Sequence, residues 1–405
     1  MRQILVIGTF ISLVARVPVL GAEGTAPCTL RTATDVVRCA MVQSPEALIG
    51  RKSLDQQSKL IESARQRINP EFDGELVPKT GGQSAELSLM HTFELGGKRN
   101  ARTEVARAEF SLAEKQQLAT QEQVAVKTAV TLYRLRQVKN EIALLKEAGD
   151  TFSKVIGGYR GRIRLTPAQE VSLSIFEIAA RENELHVLRI SQEQDRLLAE
   201  VTRSIGTSVS DSLLPPVKLN WPDLPPGSLR GGEVQLAEFG LKRAQAGLEA
   251  SSADAWPDLK VGPKVVLETG DTSETQVGVA LSMQLPIYQR NSAGKAAASA
   301  DVERARLQGE LVRIRLSQVR DLFAKRYKAS GSAFKQAMTG AKLQERHRSL
   351  HRLINQGFVG ATEVIELHRQ IFEFQTTADE HELSGVEALW SIHALDGRVT
   401  EAEIE

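Results

Sequence analysis

The chain has 405 residues, with 51 Lys and Arg against 50 Asp and Glu, 41% hydrophobic residues and only 5% aromatic ones. The balanced charge excludes a protein held on nucleic acid by a basic field, and the ordinary hydrophobic content excludes a disordered chain. Beyond the N-terminal region no stretch approaches the ~20 apolar residues of a membrane-spanning helix, but a barrel strand needs only ~9–11, so a membrane β-barrel stays open.

At the start, Arg2 precedes an apolar run from Ile4 to Val14, and the small residues Gly21 and Ala22 follow. This is the layout of a secretory signal peptide over residues 1–22, a buried N-terminal helix being the alternative. In an exported chain Cys28 and Cys39 either close a short disulfide loop or stay as two buried thiols. Thr25-Ala26-Pro27 does not resemble a lipoprotein cleavage box, so no lipid is expected on Cys28.

A first repeat is expected over residues 23–205. Its hairpin, about 71–93, begins with a weakly marked strand from Phe72 to Lys79 and turns at Thr80-Gly81-Gly82-Gln83. In the returning strand Ala85, Leu87, Leu89 and Phe93 oppose Ser84, Glu86 and Ser88. Two proline-free stretches, about 97–156 and 167–205, then read as long helices, because proline costs ~3 kcal/mol inside a helix. Leu135, Val138, Ile142 and Leu145 have coiled-coil spacing, and Gly157, Gly158 and Gly161 mark a reversal.

Residues 206–232 carry five prolines between Pro215 and Pro226, beside Gly227, Gly231 and Gly232, and read as an extended linker. A second repeat is expected over 233–405, with a hairpin at about 258–287 and helices at about 294–355 and 362–400. Trp256-Pro257-Asp258-Leu259 and Ser282 to Tyr288 stand 187 to 194 positions after Asn69-Pro70-Glu71-Phe72 and Ser88 to Glu94. Leu259, Val261, Val265 and Leu267 oppose Lys260, Lys264 and Glu268; Val277, Val279, Leu281, Met283 and Leu285 oppose Gln276, Gly278, Ser282 and Gln284. One apolar and one polar face suits a sandwich, or a barrel with lipid outside and water inside. Strands of about ten residues tilted by ~45° rise ~23 Å, near the height of a barrel's apolar band. Phe72 with Phe93, and Trp256 with Tyr288, fall at one end of their hairpins, as membrane-interface aromatics do; plugging a helix–strand junction is the competing use.

An export signal, two repeats, hairpins entering very long helices and a Pro-rich crossover together resemble the TolC-like outer-membrane efflux proteins, over about residues 28–400. The sharpest local sign is Phe93-Glu94-Leu95-Gly96-Gly97-Lys98-Arg99, which looks most like the heavy-metal branch, the partners of cobalt–zinc–cadmium type pumps. Leu285-Pro286-Ile287-Tyr288-Gln289-Arg290-Asn291 is its counterpart, with Thr92 standing where the second repeat has Pro286. The resemblance implies a mainly α protein with a membrane β-barrel. Three copies would each give four strands to one twelve-stranded barrel, with the helices forming a periplasmic tunnel. It further implies a periplasmic adaptor and an inner-membrane pump as partners. The helix-reversal loops, about Tyr159–Thr166 and Asn355–Thr362, would be the tip that meets the adaptor. The residues marked for that docking are Arg160, Gly161, Arg162, Arg164, Gly357, Phe358 and Gly360.

No catalytic constellation, cofactor motif or metal site emerges. His347 and His351 have a metal-capable spacing, but Arg346, Arg348 and Arg352 surround them and disfavour a cation. Gly96-Gly97 lacks the Lys-Ser/Thr of a phosphate loop. Between Arg346 and Thr362 there is no carboxylate, so an acidic, cation-selective gate at the tip is not expected. The sequence thus points to a passive outer-membrane duct for small solutes, metal ions among them. The rival readings are a type I secretion or drug-efflux duct of the same family, and a soluble periplasmic coiled-coil scaffold.

Overall fold

The computed structural model describes residues 28–80, 82–216, 219–270, 273–336, 349 and 360–404. The helices are α1 (Ala33–Gln43), α2 (Pro45–Arg65), α3 (Lys98–Arg160), α4 (Pro167–Ile205), α5 (Gly232–Ala253), α6 (Ser292–Gln336) and α7 (Ala361–Leu395). The strands are β1 (Glu71–Lys79), β2 (Gly82–Glu94), β3 (Asp258–Thr269) and β4 (Glu274–Met283). The signal-peptide segment, His347, His351, Gly357 and Phe358 lie outside the described residues.

Local chemistry sets the helix ends. Thr32 caps α1 through Asp35 N–H while the Asp35 carboxylate accepts from Thr32 N–H, a reciprocal capping box. Thr166 and Gln169 do the same for α4, with Pro167 in its first turn and left-handed Gly206 after its end. Helix α3 has 63 residues, a rod of roughly 95 Å at 1.5 Å per residue. It passes through Gly157 and Gly158, so those two do not make the reversal; the chain turns only after Gly161. Helical glycine costs ~1 kcal/mol each, and the packing of Phe152, Val155, Ile156 and Tyr159 beside Phe176 accompanies the helix through that stretch.

The strands form one antiparallel sheet in the order β1-β2-β3-β4, so the two repeats interlock through the central β2–β3 ladder. Three expectations need correction here. The second hairpin closes at Met283 rather than near residue 287, because Pro286 cannot donate to a ladder and residues 284–291 leave the sheet. Residues 206–232 are also not a free linker. Leu213 and Leu219 are buried, and a 3-10 turn forms at Asp211–Leu213. The last helix ends at Leu395 rather than near 400, where Asp396 caps it and Gly397 takes a positive φ.

Along α3 the coiled-coil positions Leu135, Val138, Ile142 and Leu145 are buried with Ile190 and Leu197 of α4. Each such side chain contributes about 1.5–3 kcal/mol. The main core gathers α1, the middle of α3, the end of α4, the crossover and the C-terminal residues Val399, Ala402 and Ile404. Ile404 N–H donates to Thr34 Oγ1 at 2.8 Å, so the end of the chain is tied to α1. Cys28 and Cys39 are joined in a disulfide with Cα atoms 5.9 Å apart, which fixes the segment before α1 on the same core.

Candidate functional site

The sheet has two chemically different faces. On one, Phe72 and Leu76 of β1, Leu87, Leu89 and Phe93 of β2, Leu267 of β3 and Val277, Val279, Leu281 and Met283 of β4 are exposed. Phe72 is 70% exposed and Val279 72%, so none of the described residues covers this face. The other face is ionic. Lys79 pairs with Glu268 and Lys260 with Glu71, each pair reaching from β1 across β2 to β3, and Lys264 pairs with Glu86. A contiguous exposed apolar surface of this extent marks a contact with lipid or protein, while bridged charges on the opposite face suit water.

Backbone constraints shape the sheet where it meets the helices. At Gly262-Pro263 the β2–β3 register has no pairing between Ser88↔Lys264 and His91↔Val261. A side chain at residue 262 would collide with the Leu89 carbonyl, so only glycine permits this close strand approach. At the β2–α3 bend Gly96 and Gly97 have φ of +67° and +74°. Trp256 lies against Gly96, where a Cβ would overlap its indole. Lys98 of α3 pairs with Asp258 of β3 at 2.8 Å, and Arg102 pairs with Glu94, so the entry to α3 is locked to both repeats. Trp256 thus plugs the junction on one side while remaining largely exposed on the other.

The margins of the chain are open. Among the described residues both outer strands, β1 and β4, have one unpaired edge. Below the sheet α2 packs on α3, α3 on α5 and α5 on α6; farther along, α4 packs on α3, α3 on α7 and α7 on α6. The chain is therefore a strip with β1, α2 and α4 along one margin and β4 and α6 along the other. Exposed apolar side chains run down both: Ile49, Leu60, Val171, Ile178, Leu185 and Leu188 on the first, Leu307, Leu311, Ile314 and Leu322 on the second.

Solved structures share this arrangement. CusC, a protein that forms a transmembrane channel, superposes with a TM-score of 0.67 over 92% of this chain and 95% of its own, at 14% identity. The Neisseria gonorrhoeae outer-membrane channel MtrE gives 0.69, with 91% and 90% covered at 16% identity. The Campylobacter jejuni outer-membrane channel CmeC gives 0.70, with 93% and 90% covered at 12% identity. The fold is that of the TolC-like outer-membrane channels. No protein-family model and no curated protein matches the sequence.

Of the residues expected at a tip, the structure describes Arg160, Gly161, Arg162, Arg164 and Gly360, which lie at the end of α3, in the turn before α4 and at the start of α7. Arg160 is the last residue of α3 and pairs with Glu177 of α4 at 2.6 Å. The Arg162 guanidinium lies 5.3 Å from the Tyr159 ring centroid. Among the described residues only Arg164 of the three arginines has no such partner, and Ile163 beside it is fully exposed. Gly161 caps α3 with helical backbone angles, and Gly360 caps α7 with extended backbone. Among the described residues no group of His, Cys, Asp and Glu has metal-binding geometry, and no helix is long and apolar enough to cross a membrane.

Sequence reasoning missed the girdle formed by the crossover. Trp221 adopts φ +39°, an outlying conformation for a bulky residue, and its ring packs on Tyr327 and Phe334. Gly331 of α6 and Gly385 of α7 give it room. Tyr327 Oη donates to the Pro222 carbonyl at 2.7 Å, and Arg320 pairs with Asp396 at 2.8 Å while donating to the Pro225 carbonyl at 3.0 Å. Arg136 of α3 pairs with Glu382 of α7 and donates to the Pro216 carbonyl. Glu382 also accepts from Gln137 Nε2 and Leu219 N–H, both at 3.0 Å. The one sequence signal was a Trp set among prolines. Two carboxyls nearby have pKa values raised by burial. Burial, with Glu382 and Glu141 close by, raises Asp379 to about 7 against Gln375 and Arg136. Burial also raises Glu122 to about 7, opposed by the Gly232 N–H it accepts at 2.7 Å, where α5 abuts α3.

Proposed function

We propose that the chain is one of three protomers of a passive outer-membrane channel that exports small solutes, metal ions among them, as the outer part of a tripartite efflux system. The observation that carries this reading is the pair of matched open margins. Unpaired strand edges cannot rest in lipid, where each unsatisfied backbone group costs several kcal/mol. A four-stranded sheet cannot close on itself, but the β4 and α6 margin of one copy can meet the β1, α2 and α4 margin of the next. Repetition of that heterologous contact closes a ring. Three copies give twelve strands, with the exposed Val277–Met283 face toward lipid and the Lys79, Lys260 and Lys264 ion pairs toward water. The long helices continue the ring as a periplasmic tunnel.

Arg160, Gly161, Arg162, Arg164, Gly357, Phe358 and Gly360 form the tip we assign to adaptor docking, with an inner-membrane pump behind the adaptor. Of the arginines Arg164 is the one available for a new bidentate contact, since Arg160 and Arg162 already serve α4 and Tyr159. The scaffold alternative leaves the whole apolar sheet face in water, which disfavours it. The test is planar-bilayer conductance of the detergent-extracted protein together with solute accumulation in cells lacking the gene. Discrete channel steps and accumulation that the parent gene reverses support the reading. A silent bilayer with unchanged accumulation overturns it.

A further inference from the structure

The two repeats leave the sheet differently. In the first, only Leu95, Gly96 and Gly97 separate β2 from α3. In the second, residues 284–291 separate β4 from α6. This inserted loop is not tucked away: Leu285 and Ile287 are about two-thirds exposed and Tyr288 is 100% exposed. It is also not slack. Met283 is still paired with Leu259 at one end. At the other, Asn291 takes φ +51°, and its Nδ2 donates to the Ser251 carbonyl of α5 at 2.8 Å. Within the loop Ile287 N–H donates to the Leu285 carbonyl at 2.8 Å, and Arg290 Nε donates to the Pro286 carbonyl at 3.2 Å. A tight turn fixed at both ends therefore holds out Leu285, Ile287 and Tyr288, with an exposed Arg290 two residues beyond.

We propose that residues 284–290 are a membrane-seating loop, which lies in the phospholipid headgroup region of the leaflet facing the helices and brings Arg290 to lipid phosphate. This rests on the barrel reading above. Three observations favour lipid as the occupant. In sequence Leu285 follows the alternation of Val279, Leu281 and Met283, and like Val279, Leu281 and Met283 it is exposed. The loop lies at the end of the sheet that carries Phe72, Phe93 and Trp256, and aromatics gathered at one end of a strand set are what a bilayer interface favours. An arginine at the edge of an apolar cluster keeps its stem in the apolar layer and its guanidinium among phosphates.

The experiment uses the full chain with one added cysteine at a time, spin-labelled and reconstituted in phosphatidylcholine–phosphatidylglycerol vesicles: Val279→Cys on β4, Tyr288→Cys in the loop and Glu380→Cys on exposed α7. Collision with oxygen, which concentrates in lipid, is compared with collision with a water-soluble nickel chelate. The proposal expects label 279 to favour oxygen strongly, label 380 to favour nickel, and label 288 to fall between, at headgroup depth. In the second arm, Arg290→Gln in the Tyr288→Cys background should shift the 288 label toward water in anionic vesicles. If 279 is lipid-exposed while 288 matches 380, the loop is in water and this proposal fails while the barrel stands. If 288 is shielded from both reagents, it is buried against a neighbouring copy and the proposal also fails. If 279 itself favours nickel, the barrel reading fails with it.

Discussion

Replacing Glu382 by alanine should damage the protein more than any single surface change. Glu382 is 1% exposed, and its partner Arg136 is 7% exposed. The substitution leaves a guanidinium among α3, α7 and the crossover with its countercharge gone. Removing one member of a buried ion pair costs about 3–5 kcal/mol. The same carboxylate satisfies Leu219 N–H and Gln137 Nε2, and an orphaned buried donor costs about 1–3 kcal/mol. These losses share one group and do not simply add, so the net expectation is about 4 kcal/mol, roughly a thousandfold in the folding equilibrium. The assay is the urea midpoint of the extracted protein at fixed chain concentration, because assembly couples to folding. Proteolysis within residues 216–226 should rise in parallel, since the crossover loses its hold on α7. A double variant, Arg136→Met with Glu382→Leu, removes both charges and should recover more than half of the loss. The reasoning is refuted if Glu382→Ala stays within about 1 kcal/mol of the parent, or if the double variant is no better than the single one.

Three further outcomes follow from the same geometry. Gly96→Ala should lower the yield of assembled protein, because φ +67° and the Trp256 indole both oppose a side chain; Gly97→Ala, with only its φ of +74° against it, should be milder when the two are compared by native gel. Asp379 and Glu122 have folded pKa values raised to about 7, so the native state holds their protons longer than the unfolded chain does. Stability should therefore be greatest below about pH 4 for these two groups and should fall as pH rises toward and through 7; Asp379→Asn should flatten that fall and raise stability at pH 8 by about 1–2 kcal/mol, read from urea midpoints at pH 5.5 and 8. Reducing the Cys28–Cys39 disulfide, eleven residues apart, removes a loop constraint worth about 2–3 kcal/mol, and Cys28→Ser with Cys39→Ser should lower the melting temperature without altering the sheet.

The parts of this architecture that were legible in the sequence are those with a strong period. Alternation over Val277–Met283 and Leu259–Leu267 marked the strands and their faces, and proline-free stretches marked α3 and α4. Spacing alone could not separate a buried stripe from an exposed one. Leu135, Val138, Ile142 and Leu145 are core, whereas Leu307, Leu311 and Ile314, equally regular, face outward. The difference lies in which helix stands at a margin, a property of packing order. The crossover was misread because proline and glycine look alike in a loose linker and in a segment pinned by its neighbours. What pins it is Arg136, Tyr327, Glu382 and Asp396, which accepts from Ser228 N–H, each distant in sequence. The early end of β4 was signalled by Pro286, but its regular alternation with Leu285 and Ile287 concealed the exit from the sheet.

The most direct test of the central claim is cell fractionation followed by mass determination of the detergent-extracted particle. The account predicts that the protein sediments with the outer membrane and that the extracted particle contains three copies of the chain. A monomer recovered from the soluble periplasmic fraction, with its apolar sheet face and both margins in water, would contradict it.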